Sequence, residues 1–138
     1  MSNNAVTPEL SPIIVIDDDQ EDLDLMCEAF REINPLHPLL CFDKPQKALE
    51  YLMAPGATPH FTISDVHMQL MDAYALRAEM LKNPVPANQR PFFIISSVIT
   101  DREIAYLPDL QIHHYFIKAF RYEDLLANCH KMLLAAAM

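Results

Sequence analysis

The chain has 138 residues, enough for one domain that buries its own core without disulfides or a structural metal. Half of it is apolar (51%) and its formal net charge is −9, which disfavours nucleic acid as a direct partner and suits a cation or a protein with a basic face. No apolar run reaches the roughly 18–20 residues of a membrane span, and MSNNAVTPEL at the start lacks the basic and apolar regions of a secretory signal. Cys27, Cys41 and Cys129 are odd in number and widely spaced, which argues against a disulfide framework and for a reducing cytoplasm.

Apolar runs alternate with amphipathic stretches along the whole sequence. PIIVI (12–16) is short, continuous and rich in β-branched residues, which predicts a strand buried on both faces. From Asp19 to Ile33, Leu23, Met26, Phe30 and Ile33 recur at helical spacing, and Asn34-Pro35 is expected to stop the helix. HPLLCF (37–42) predicts a second strand, Pro45 to Met53 a helix with Pro in its first turn, and APGATPH (54–60) a loop. FTISDV (61–66) predicts a third strand, Asp72 to Lys82 a helix ended by Asn83-Pro84, and VPANQR (85–90) a loop. PFFIISS (91–97) is the most apolar strand, Thr100 to Leu107 a short helix closed by Pro108, QIHHYFI (111–117) a fifth strand, and Arg121 onward a last helix.

Five strand–helix units in strict alternation predict one doubly wound α/β domain, a five-stranded parallel sheet with helices on both faces. In such sheets ligands bind outside the carboxyl ends of the strands, near the switch in strand order. Those ends carry chemistry. Asp17, Asp18 and Asp19 follow the first strand, Asp65 ends the third, Ser96 and Ser97 the fourth, and Tyr115 and Lys118 stand at the fifth. Carboxylates from two strands make a hard oxygen site suited to Mg²⁺ or Mn²⁺, and a lysine and a serine opposite could hold the oxygens of a phosphoryl group. An aspartate in such a site could itself be the nucleophile. Taken singly, these residues have ordinary explanations. Asp19, Glu21 and Asp22 suit the cap and first turn of a helix, Asp65 a turn, and Lys118 a solvated surface.

At these positions the sequence resembles the receiver domain of two-component response regulators, over about Ser11 to Ala135. IIVIDDDQEDLDLM is similar to that family's first-strand signature, ISDVHMQLMDAYAL to its phosphoacceptor segment, FIISS to its Ser/Thr switch and HHYFIKAF to its lysine and aromatic switch. The resemblance implies a flavodoxin-like strand order, 2-1-3-4-5. It implies that Asp65 is phosphorylated and that Asp17, Asp18, Asp65 and the main-chain carbonyl of His67 hold the metal. Lys118 would pair with a phosphoryl oxygen, and Ser96 and Tyr115 would switch on phosphorylation. His67 and Val98, flanking the site, are candidates for tuning the attack of water on the aspartyl phosphate. The expected partners are a sensor histidine kinase or phosphotransfer protein and a downstream protein, with dimerisation through helix four, strand five and helix five as an option. Since the sequence ends soon after its last helix, output is expected through such contacts.

Three positions depart from the family pattern. Gln69 and Ala73 stand where it usually has Pro and Gly, and Ala119 where Lys is usually followed by Pro through a cis bond. A cis 118–119 peptide is expected here too, at a cost of roughly 2.5–4 kcal/mol. Ala119 and Gln69 favour one rival, a receiver-like interaction module that takes no phosphate. A second rival is a haloacid-dehalogenase-type phosphatase with Asp17 as nucleophile and Asp19 as general acid. A histidine metal site has little support: His113 and His114 are adjacent and face opposite sides of a strand, and His60 and His67 lack ligand spacing.

Overall fold

The computed structural model describes residues 10–33 and 36–137. The readings of the first residues, of the Asn34-Pro35 stop and of Met138 lie outside them. Ile13–Ile16 (β1), Phe61–Asp65 (β3) and Phe92–Ser96 (β4) are buried at every position. That is why their sequences are continuous apolar runs rather than alternations. Leu39–Phe42 (β2) and His114–Ile117 (β5) are the edge strands, and in β5 only Phe116 is buried. All neighbours pair in parallel, in the order β2-β1-β3-β4-β5, as the family resemblance implies.

Successive residues of each central strand serve opposite faces of the sheet. Ile13, Val15, Phe61, Ile63, Phe93 and Ile95 pack under Gln20–Ile33 (α1) and Tyr122–Ala137 (α5). Ile14, Ile16, Phe92 and Ile94 pack under Pro45–Leu52 (α2), Ala73–Leu81 (α3) and the 3-10 turn Leu107–Leu110. Two apolar layers therefore clamp one sheet, at about 25 cal/mol for each Å² of apolar surface removed from water.

The helices start where the polar residues predict. Asp19 Oδ1 accepts the Asp22 amide at 3.0 Å, and Asp72 Oδ1 accepts that of Ala75 at 2.8 Å. Thr100 caps Asp101–Tyr106 (α4) in a capping box with Glu103. α4 is one residue shorter at each end than expected, because Thr100 is its extended cap and Pro108 allows only a 3-10 turn after it. The VPANQR loop contains a second 3-10 turn, Pro86–Gln89.

Two expectations are corrected. No peptide bond is cis among the described residues, so Lys118-Ala119 is trans. Without a proline ring to narrow the gap between isomers, trans is the ground state. Cys27 and Cys41 are joined as a disulfide, which ties α1 to β2. Wide spacing in sequence misled here, because β2 lies directly beneath α1 and brings residues 14 apart together. The third cysteine, Cys129, is buried and free.

Candidate functional site

The order of the strands reverses between β1 and β3, and the acids gather there. Ile16 lies beside Ser64 across the sheet, so the next residue of each strand brings Asp17 next to Asp65. Carboxylate oxygens of Asp17, Asp18 and Asp65 lie within 4.8 Å of one another. Asp17 and Asp65 are buried and Asp18 is the most open of the three. Past β5 the ladder runs on by one bond, from the Lys118 amide to the Ser96 carbonyl at 2.9 Å. That bond delivers the Lys118 side chain to the cluster. Its Nζ lies 3.1 Å from Asp65 Oδ1 and 3.4 Å from Asp17 Oδ2. Three sequence segments separated by up to 101 residues thus converge on one ammonium and three carboxylates.

The electrostatics follow from burial. Desolvation pushes Asp17 up to about 6, only partly offset by the amide of Asp19, which donates to its Oδ1 at 2.9 Å; Asp65 close by pushes it further. Asp65 is also raised by burial, with Lys118 pulling it back. Burial disfavours the Lys118 ammonium too, but Asp22, Asp17 and Asp65 outweigh this and hold its pKa above the ordinary value. The cluster carries more negative charge than one lysine can offset. Its donors are all oxygens, two of them buried, which matches what a hard divalent cation requires. The residues present therefore fit Mg²⁺ or Mn²⁺.

The other expected residues are nearby but differently engaged. Ser96 is buried and its hydroxyl donates to the Val98 carbonyl at 3.0 Å. Tyr115, on β5, is exposed, as is Val98. His67 is exposed and close enough to Asp65 to lower its pKa slightly.

Three participants escape a reading of the sequence. Asp22 looks like a first-turn acid, yet its Oδ2 is the nearest carboxylate oxygen to Lys118, at 2.9 Å. Gln69 donates its main-chain amide to Asp18 Oδ2 at 2.8 Å, a bond that proline at this position cannot make. The proline departure noted from the sequence was the available signal. Tyr74 Oη donates to Glu103 Oε2 at 2.6 Å and joins α3 to the cap of α4. Nothing in the sequence pattern announces that pair.

No family model matches the chain, and no curated protein matches it. Solved structures do. The phosphorylated cyanobacterial phytochrome response regulator RcpA superposes with a TM-score of 0.77 at 20% identity, over 88% of this chain and 90% of its own. The Mn²⁺-bound form of response regulator Rcp1 gives 0.75 at 18% identity, over 89% and 91%. The Vibrio cholerae chemotaxis protein CheY4 gives 0.73 at 15% identity, over 88% and 98%. The chain has the fold of the receiver domains of response regulators.

Proposed function

We propose that this chain is a phosphoacceptor signalling domain. Asp65 would take a phosphoryl group from the phosphohistidine of a sensor histidine kinase or phosphotransfer protein. The observation that carries this reading is the Asp65 carboxylate, buried at the strand-order switch and held 3.1 Å from Lys118 inside a three-carboxylate cluster. A ring of acids around one lysine is a poor structural device, since burial raises both Asp17 and Asp65. It is a good receptacle for a cation and an anion together.

In the proposed reaction an oxygen of Asp65 attacks phosphorus, the P–N bond to the donor imidazole breaks, and the imidazole leaves with the bonding pair and takes a proton. Asp17, Asp18, Asp65 and the His67 carbonyl would hold Mg²⁺ or Mn²⁺, which when bound neutralises the carboxylates and the transferring phosphoryl oxygens. Lys118 shifts its Asp65 contact to a phosphoryl oxygen, a charge-assisted bond of the stronger kind. Ser96 exchanges the Val98 carbonyl for another phosphoryl oxygen. That exchange moves the segment between β4 and α4, and Tyr115 beside it turns inward. The surface of α4, β5 and α5 then reports the change to a downstream protein or to a second copy, as a shift between two populations. His67 and Val98, both exposed, would limit the approach of hydrolytic water.

One observation favours the second reading, an interaction module that takes no phosphate. The Gln69 amide already occupies Asp18 Oδ2. The test for both is incubation with acetyl phosphate and Mg²⁺, read by intact mass beside Asp65→Asn. One added phosphoryl group, absent from the variant and from samples without divalent ions, is expected. No addition, with beryllofluoride also failing to perturb the site, supports the interaction module instead. Among the described residues no helix is long and apolar enough to cross a membrane.

A further inference from the structure

The opposite end of the sheet gathers imidazoles and an arginine in place of carboxylates. His37, His60, Arg90 and His113 lie at the amino ends of β2, β3, β4 and β5, in a chain whose net charge is −9. A strand of four or five residues puts this end about 15 Å from the acidic cluster. A crevice of about 210 Å³ opens here, lined by Arg77, Asn88, Arg90, Gln111 and His113 among others. Arg77 is 1% exposed, and its guanidinium lies 5.0 Å from the centre of the Phe92 ring. Its Nε donates to the Leu110 carbonyl at 3.0 Å and one terminal nitrogen to the Gln111 carbonyl at 3.3 Å. Those bonds hold the turn in which Gln111 takes a left-handed conformation, φ 53°.

The structural role ends there, because the other terminal nitrogen, Nη1, has no partner. Among the described residues no carboxylate pairs with Arg77 or with Arg90. A fully buried arginine without a counter-charge is rare, since desolvating the cation is costly. The second buried side-chain atom without a partner belongs to a residue of the same crevice lining. It is Asn88 Oδ1, whose amide is oriented by two donated bonds, to the Met80 carbonyl at 3.0 Å and the Asn83 carbonyl at 2.6 Å. Behind the crevice lining thus lie a covered, unpaired cationic donor and a covered, unpaired acceptor, beside a second arginine that donates to the Pro59 and His60 carbonyls.

We propose that this crevice binds a small, protonated oxyanion of the phosphate class, separate from the acidic site. Its anionic oxygens accept from Arg77 Nη1 and the Arg90 guanidinium, and its P–O–H group donates to Asn88 Oδ1. Gln89, one of the exposed members of the lining, turns aside to admit it. The test is ¹H–¹⁵N NMR of the intact chain with EDTA, titrated with inorganic phosphate at constant ionic strength. Saturable shifts are expected at the Arg77 Nε–H and at the amides around Asn88–Arg90 and Gln111–His113. Arg90→Gln is expected to weaken binding about tenfold. Asn88→Asp, which sets a carboxylate against the anion, is expected to abolish binding and, by losing the two bonds donated to the Met80 and Asn83 carbonyls, to lower the melting temperature. Sulfate, with no proton for Asn88, is expected to bind more weakly than phosphate. Shifts that do not saturate, that chloride reproduces, or that persist unchanged in Arg90→Gln overturn the proposal. A silent titration also overturns it and leaves a trapped water as the partner of both atoms.

Discussion

Asp22 Oδ2 stands 2.9 Å from Lys118 Nζ, closer than the Asp65 oxygen at 3.1 Å for which the lysine is proposed to work. Asp22 therefore competes for the ammonium, from the first turn of α1 and half exposed. Asp22→Asn leaves Lys118 to Asp65 and Asp17 and removes one charge that repels an anionic phosphodonor. A few-fold faster incorporation from acetyl phosphate is expected. Lys118→Met, which removes the donor itself, is expected to slow incorporation by about a hundredfold or more. A quench-flow or fluorescence time course on the two variants separates these effects. Equal rates in Lys118→Met and the parent would remove lysine from the mechanism.

Burial raises Asp17 to about 6, so the native state holds that proton more tightly than the unfolded chain, whose ordinary value is 3.8. A raised carboxylate costs stability once it ionises. Without divalent ions, stability is therefore expected to fall as pH rises from about 4 through about 6 on this group's account. Asp17→Asn is expected to flatten that dependence and to gain about 1 kcal/mol near neutral pH, a rise of a few degrees in Tm. Thermal melts in EDTA across this range check it, and a lower Tm for the variant near neutral pH would refute it. Added Mg²⁺ should stabilise the parent more than the variant, since a site that binds only the folded chain adds its binding energy to folding.

Much of this was legible in the residues, for reasons that are physical. β1, β3 and β4 are central and buried on both faces, so their apolar runs are unbroken. Asp17, Asp65 and Lys118 are legible because parallel strands bring their carboxyl ends to one edge whatever their separation in sequence. Asp22 was not, since a first-turn acid has a sufficient reason to be there in the helix dipole. The 118–119 bond was misjudged by carrying a proline's geometry to an alanine. The Cys27–Cys41 pair was misjudged because spacing along the chain says little of a helix lying on its neighbouring strand. Side-chain pairs such as Tyr74–Glu103, between elements of different units, leave no periodic trace.

The Tyr74–Glu103 bond makes its own prediction. Burial first, then the hydrogen bond to Glu103 and that carboxylate's charge, raise the Tyr74 phenol above its ordinary 10. The Tyr122 phenol is raised as well. A spectrophotometric titration of the phenols is expected to show a late-ionising step that is reduced in Tyr74→Phe. Since the native state holds the Tyr74 proton, the stability it contributes is present below pH 10 and lost as pH rises beyond it. At neutral pH, Tyr74→Phe removes one part-buried hydrogen bond to a charged partner and is expected to cost about 1 kcal/mol. A titration curve unchanged by the substitution would mean that the bond does not form in solution.

The Cys27–Cys41 disulfide is open to direct counting. Cys129 is buried and burial raises its thiol to about 12, so in the folded protein it is expected to be inert to thiol reagents. Protein purified without reductant and unfolded in denaturant should then present one reactive thiol, and three after reduction. The bond closes a loop of 14 residues between α1 and β2. Loop-closure entropy puts its contribution near 3 kcal/mol relative to the open chain. Reduction, or Cys41→Ser, is therefore expected to lower the melting temperature. It should also loosen α1, the helix that brings Asp22 to Lys118. The rate of phosphoryl incorporation with and without a dithiol reductant is the companion measurement, and a change in the parent but not in Cys41→Ser would tie it to this bond. Three reactive thiols in the unreduced, denatured protein would mean that the two sulfurs are apart in solution, and α1 would then be held to β2 by packing alone.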